Sequence, residues 1–129
     1  MLKEFSIRTN QQVEFVKLTG QIQKLLDESG VQEGICHVYV PHTTAGITIN
    51  EGADPDVIRD MTMELNKIVP FEDGYRHAEG NSAAHIKASM MGPSVAVMIE
   101  HVQIGFGNLA GDFLLRIRRP EDAAGFSSF

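Results

Sequence analysis

The sequence has little cysteine, no excess of basic charge and no long hydrophobic run. Cys36 is the only cysteine among 129 residues, so neither an intrachain disulfide nor a CxxC motif can form. The formal net charge of -6 argues against general binding to nucleic acid or to an anionic membrane. The first ten residues, MLKEFSIRTN, lack the apolar segment of a signal peptide, and no later run is long enough to span a bilayer. We therefore expect a cytoplasmic protein with neither nucleic acid nor a membrane as partner.

Several common catalytic signatures are also missing. The chain has no GxSxG elbow, no GxGxxG dinucleotide loop and no GxxxxGK[ST] phosphate loop. Cys36 lies within an apolar strand pattern, and Thr43 or Thr44 would need a base that spacing alone does not place. Nucleophilic catalysis and dinucleotide binding therefore have little support.

What is present fits one domain over residues 1–129, with 120–129 as a weakly defined tail, because a chain of this length with 43% hydrophobic residues supports one core. Alternating residues on either side of the polar turn Asn10–Gln12 predict an opening hairpin. Helical patterns run from Thr19 to Ser29, from the cap Asp54 to Pro70, and from Ser82, read as a cap, to Met91. Their irregular alternation with strands predicts an α+β fold.

Polar residues concentrate in VPHTTAGITINEGADPD, residues 40–56. Period-two alternation sends Ile47 and Ile49 to one strand face and Thr48 and Asn50 to the other. Glu51 ends this strand and is a candidate general base, metal ligand or partner of a ligating histidine. The acids that follow it are explained by capping and by the helix dipole.

Three of the five histidines, His42, His77 and His85, lie in polar segments. Imidazole is a common zinc ligand, and catalytic sites often combine three protein ligands with an open position. Their spacing matches no finger or HExxH pattern, so loop capping, backbone hydrogen bonds and subunit contacts remain open. His85 falls in the first turn of a helix, where the dipole favours a neutral imidazole. A phosphate could bind there, with Lys87 or Arg76 adding positive charge, although Lys87 also fits a solvated helix residue.

Two segments resemble the YjbQ-like family, whose members are also described as secondary thiamine-phosphate synthases. They are HTTAGITINEGADPDVIRDM, residues 42–61, and YRHAEGNSAAHIKASMMGPS, residues 75–94. The family pattern is H-[ST]-[ST]-A-x-x-x-I-N-E-x-x-D-P, then Y-x-H, then N-x-x-A-H-x-x-x-x-x-x-G. All three blocks match in order and spacing, and the resemblance extends to about residue 120.

The resemblance implies a β-sandwich flanked by about three helices, and a homotrimer with its polar residues near subunit contacts. It also implies a divalent metal, zinc or magnesium, or an anion at His42, His77 and His85. With Glu51 and His85 as catalytic candidates, the remaining polar residues of these blocks are expected to bind a phosphorylated small molecule: Thr43, Thr44, Asn50, Arg76, Asn81 and Lys87.

The sequence departs from the family pattern at two places, and these departures leave more than one function open. GFGN at residues 105–108 replaces the usual G-T-W-Q, and Arg116, in RIRRPE, stands where a glutamate is expected. One hypothesis is weak thiamine-phosphate-synthase activity, a transfer that joins a pyrimidine diphosphate to a thiazole phosphate with release of pyrophosphate. The alternative is a non-catalytic trimer that binds a metal or an anion. In a third hypothesis the histidines only stabilise trimer contacts.

Overall fold

The structure is a computed structural model that describes residues 2–101, 103–104, 110–117 and 126–128. Within these residues the apolar segments of the sequence form strands and helices. In chain order these elements are β1 (Phe5–Ile7), β2 (Val13–Lys17), α1 (Thr19–Ser29), β3 (Gly34–Tyr39), β4 (Ala45–Glu51), α2 (Pro55–Ile68), α3 (Ser82–Met91), β5 (Ser94–Glu100), β6 (Gln103–Ile104), β7 (Ala110–Ile117) and β8 (Phe126–Ser128). The predicted mixed α+β class with three helices in a single domain is confirmed. The GFGN segment and residues 118–121 lie outside the described part of the chain.

Local signals account for the ends of the first two helices. Gly30 closes α1 with φ of 74°, a left-handed conformation that glycine adopts without a steric penalty. Asp54 caps α2, because its Oδ1 accepts a hydrogen bond from the Asp56 N–H at 2.9 Å, and Pro55 occupies the first turn. Both helices therefore begin or end where the sequence predicts.

The predicted bounds of α3, Ser82–Met91, are confirmed, but its cap differs from the prediction by one residue. Asn81, not Ser82, is the N-cap, with φ of -120° and ψ of 25°. The Asn81 carbonyl accepts hydrogen bonds from the N–H groups of Ala84 at 3.0 Å and His85 at 3.3 Å. Ser82 therefore already belongs to the first turn and does not cap it.

The strands form three antiparallel sheets with the orders β1-β8, β2-β7-β4 and β3-β5-β6. The predicted opening hairpin is wrong, because β1 pairs with β8 and β2 pairs with β7. The Glu14 side chain holds the turn between β1 and β2, because its Oε2 accepts hydrogen bonds from the Asn10 N–H at 2.9 Å and the Gln11 N–H at 3.4 Å. Strand β8 lies in the tail, where the sequence predicts no element.

Two apolar clusters lie between the helices and the sheets. The larger cluster joins β1, α1, β3 and β4 through Ile7, Leu18, Ile22, Val38, Val40, Ala45 and Ile47. The smaller one joins Leu65 of α2 to Ala84 of α3, with Phe15, Phe71 and Met91 packed against them. The smaller cluster packs Phe71, near the start of the loop between α2 and α3 (residues 69–81), against both helices.

Glycine at position 46 lets β4 approach the end of α3. A Cβ there would lie 2.7 Å from Met91 Cβ and 2.9 Å from the Ala88 carbonyl oxygen. The chain after α3 is also tied to β4, since the Ile47 N–H donates to the Gly92 carbonyl at 3.0 Å. The polar block on β4 and the histidine block on α3 are therefore held on neighbouring elements.

Candidate functional site

The loop 69–81 folds back so that its middle approaches the start of α3. The Tyr75 hydroxyl donates to the Pro70 carbonyl oxygen at 2.6 Å, and the Gly80 N–H donates to the His77 carbonyl oxygen at 3.1 Å. Gly80 has φ of 73°, which a side chain would disfavour. This turn connects His77 to Asn81, which is the N-cap of α3.

His77 and His85 lie side by side at the N-terminal end of α3. Their ring centroids are 5.5 Å apart and the ring planes meet at 70°, an edge-to-face arrangement. His77 is exposed and His85 is half-buried. Two imidazole rings in contact, both reached by solvent, offer nitrogen ligands to one ion.

Asn81 adds a polar atom that lacks a partner. Its side-chain Oδ1 is buried and accepts no hydrogen bond from the part of the chain that the structure describes. It also makes no capping bond to the first turn of α3, although asparagine commonly does so. A buried acceptor left unsatisfied costs about 1–3 kcal/mol. A ligand that supplies a donor or a cation would remove that cost.

The other polar block lies around β4. His42 is half-buried in the segment before β4, Thr43 beside it is exposed, and Thr44 is half-buried. The Asn50 side chain is engaged locally, because its Oδ1 accepts the Glu51 N–H at 2.7 Å. Glu51 is half-buried at the end of β4.

The structure brings two of the three predicted histidine ligands together. Among the residues it describes, no group of three or more His, Cys, Asp or Glu side chains has a metal-binding arrangement. His42 as the third ligand therefore stays a prediction. The other two histidines belong to other elements: His37 is exposed on β3 and His101 is exposed in the turn after β5.

The two predicted cations have opposite environments. Arg76 is exposed in the loop, whereas Lys87 is fully buried, with 0% of its surface exposed. The Lys87 ammonium donates to Asn66 Oδ1 and lies 4.6 Å from the centroid of the Phe71 ring. Burial lowers the pKa of Lys87. The interpretation of Lys87 as a solvated helix residue is therefore wrong.

Asn66 and Phe71 are not singled out by sequence patterns, because their relation to Lys87 is non-local. One signal does exist in α3, since Lys87 shares a helical face with the buried Ala83, Ala84 and Ala88. Small side chains around a lysine leave space for its long aliphatic stem. A lysine within an alanine face thus indicates burial.

The fold and site define a single-domain α+β protein with a histidine pair at a helix N-terminus. Residues 3–121 match the family model described as UPF0047 protein YjbQ-like. The UPF0047 protein YugU of Bacillus subtilis is 40% identical over 121 residues, covering 93% of this chain and 92% of YugU. A UPF0047 protein of Methanocaldococcus jannaschii is 42% identical over 120 residues, covering 93% and 87% of the two chains.

A solved structure agrees in fold as well as in sequence. The crystal structure of an uncharacterized conserved protein of the yjbq/upf0047 family from Clostridium acetobutylicum superposes with a TM-score of 0.89 at 44% identity, covering 98% of each chain. The chain therefore belongs to the YjbQ-like UPF0047 family. The family is one of unknown function. No helix among the described residues has the length and apolar character needed to cross a membrane.

Proposed function

We propose that this protein binds a divalent metal at the N-terminal end of α3, with His77 and His85 as ligands. The observation that carries the proposal is the contact between the two imidazoles, whose ring centroids are 5.5 Å apart. The Asn81 Oδ1 supports it, because that buried oxygen accepts no hydrogen bond within the described ranges and a cation would satisfy it. Imidazole nitrogen suits zinc, whereas magnesium prefers a shell of oxygen ligands, so zinc fits this donor set better.

A catalytic zinc site needs a third protein ligand beside an open position. His42 is our candidate, and the homotrimer implied by the family resemblance would allow it to come from a neighbouring subunit. The apolar residues Ile35, Tyr39 and Met98 support a subunit contact, since 57%, 51% and 54% of their surfaces are exposed. Ile35 and Met98 are cross-strand partners in the sheet of β3 and β5. A β-sandwich completed within such a trimer belongs to the same proposal.

The reaction that fits this site is of the thiamine-phosphate-synthase type. A metal bound there would neutralise charge on the pyrophosphate leaving group. The first N–H groups of α3 and the exposed Arg76 would hold phosphate oxygens. The thiazole nitrogen that is alkylated carries no proton, so Glu51 would act by orienting a ligating histidine rather than as a base, and His85 would contact the reacting group.

Polar side chains of both blocks would complete the substrate pocket. Thr43, Thr44, Asn50 and Asn81 offer hydroxyl or amide groups for hydrogen bonds to a phosphorylated substrate. Lys87 is enclosed by Asn66 and Phe71. We therefore expect Arg76, rather than Lys87, to supply the cation that contacts the substrate.

The test begins with metal content. Untagged protein reconstituted with zinc and freed of excess metal should hold close to one zinc per chain. His77→Ala and His85→Ala should each lose that zinc while remaining folded, as should His42→Ala if it supplies the third ligand. His101→Asn is the matched control, because His101 is exposed in the turn after β5, outside the loop 69–81 and α3, and asparagine tolerates its φ of 50°. Unchanged zinc binding in His77→Ala and His85→Ala would refute the site.

Activity is measured separately, as pyrophosphate release from the pyrimidine diphosphate and the thiazole phosphate. Zinc-loaded wild type should turn over and Glu51→Gln should not. A second candidate function, a non-catalytic trimer that binds a metal or an anion, is favoured by Arg116, which stands where the family usually has glutamate. Stoichiometric zinc without turnover would support it. Loss of the trimer in His77→Ala or His85→Ala, with no metal in wild type, would instead assign the histidines to subunit contacts.

A further inference from the structure

Lys87 is a largely unexplained group in this fold. It is the largest of the side chains that the structure buries completely. Lysine is almost never fully buried unless its charge is paired. No Asp or Glu forms a salt bridge with Lys87 within the described ranges. Its partners are neutral, namely the amide oxygen of Asn66 and the ring face of Phe71.

These partners flank one end of the loop that carries His77. Asn66 lies in the last turn of α2, Phe71 lies near the start of the loop, and Lys87 lies on α3 after the loop ends. The ammonium therefore connects the segment before the loop to the helix after it. Positive charge strengthens both contacts, since a ring face attracts a cation and a charge-assisted hydrogen bond is stronger than a neutral one.

We propose that Lys87 is a positioning residue: its buried ammonium clamps Asn66 and Phe71 against α3 and so holds His77 beside His85. The proposal deepens the proposed function, because it names what fixes the geometry of that histidine pair. Lys87 itself does not contact a ligand in this assignment. Its effect on the site passes through the conformation of the loop.

A purely structural role predicts a different outcome. If Lys87 only fills space, methionine should replace it well, because its chain is similar in length and apolar. Replacing a buried charge by a well-packed apolar group is often neutral or stabilising. Lys87→Met therefore distinguishes a packing role from a clamping role. If Lys87 is a clamp, the variant should keep its overall stability while the loop 69–81 loses the contacts that hold it against α3.

The experiment uses metal-free full-length protein and follows trypsin cleavage after Arg76 by mass spectrometry. Arg76 lies in the middle of the loop, so cleavage there reports local opening. Without the cation–π contact and the charged hydrogen bond, opening and cleavage should increase about tenfold or more. The nuclear Overhauser effect between the His77 and His85 ring protons should weaken in parallel. Lys67→Met is the matched control, because Lys67 is exposed in the last turn of α2.

Two partner variants keep the test decisive if Lys87→Met fails to fold. Phe71→Leu removes the ring but keeps an apolar side chain, and Asn66→Ala removes the acceptor. Each should accelerate cleavage after Arg76, whereas Asn66→Asp, which offers a carboxylate, should slow it. Unchanged cleavage in Phe71→Leu and Asn66→Ala, or in a folded Lys87→Met, would overturn the proposal.

The readouts distinguish this proposal from the proposed metal site. Loop opening and the ring-to-ring Overhauser effect are measured without metal. A protein that binds no zinc, yet opens in Lys87→Met, would reject the metal site and keep the clamp. A protein that loses zinc in His77→Ala, yet shows no loop change in Lys87→Met, would reject the clamp and keep the metal site.

Discussion

The close approach of β4 to α3 makes Gly46→Ala a sharp test of the fold. The new Cβ would lie 2.7 Å from Met91 Cβ, 2.9 Å from the Ala88 carbonyl oxygen and 3.1 Å from the Gly92 carbonyl oxygen. Two of these atoms belong to the backbone and the third is bonded directly to it. None can move away by a side-chain rotation, so β4 and α3 must separate.

The magnitude follows from these distances. Restoring an ordinary carbon–carbon separation of about 3.5–4.0 Å requires a shift of about 1 Å. That shift would lengthen the hydrogen bond from the Ile47 N–H to the Gly92 carbonyl oxygen, now 3.0 Å. Overpacking costs about 1–3 kcal/mol, and a weakened hydrogen bond adds up to about 1 kcal/mol. We expect Gly46→Ala to lower the free energy of unfolding by about 2–3 kcal/mol.

Urea unfolding, followed by circular dichroism at one protein concentration, measures this change. With a denaturant slope of about 1.5–2 kcal/mol/M, the midpoint should fall by about 1–2 M. Gly20→Ala is the control, because Gly20 lies in α1 and a Cβ there would meet nothing within 4 Å. Alanine should stabilise that helix by up to about 1 kcal/mol. Wild-type stability in Gly46→Ala, or an equal loss in Gly20→Ala, would refute the reasoning.

Three further predictions concern caps and charges. Asp54→Ala should lower the free energy of unfolding by about 1 kcal/mol through loss of the cap on the Asp56 N–H, and Asp54→Asn should retain most of it in the same urea assay. Arg59→Ala should cost less than about 0.5 kcal/mol, because the exposed ion pair with Asp56 is screened by solvent, and added salt should shrink the difference. Burial lowers the pKa of Lys87 below 10.5, so the unfolded chain binds more protons at this position between the two pKa values. The stability of wild type relative to Lys87→Met should therefore rise as pH increases through that range, and a flat or falling difference in alkaline urea series would contradict this.

The sequence alone determined the helices well, because their signals are local. Gly30 ends α1, and Asp54 with Pro55 begins α2, through conformational preferences that need no distant contact. Even there, the cap of α3 was misassigned by one residue, since serine and asparagine are both good caps and only the backbone bonds to Asn81 decide between them.

The pairing of the strands required the tertiary structure. An alternating pattern shows that β1 and β2 are strands, but it does not name their partners, which lie more than 90 residues away along the chain. The side chain of Glu14 accepts backbone hydrogen bonds in the turn between β1 and β2, and β7 lies between β2 and β4. These choices depend on which faces are buried together.

In the candidate site, too, some features follow from the sequence and others only from the folded structure. The sequence identified His77 and His85 as possible ligands in a polar segment, because residue type and polarity can be read locally, and the family resemblance implied Asn81. Only the folded chain places the two rings in contact and leaves the Asn81 Oδ1 without a hydrogen-bond donor among the described residues. The burial of Lys87 is also a tertiary result, because it depends on how α2 and the loop close over the alanine face of α3.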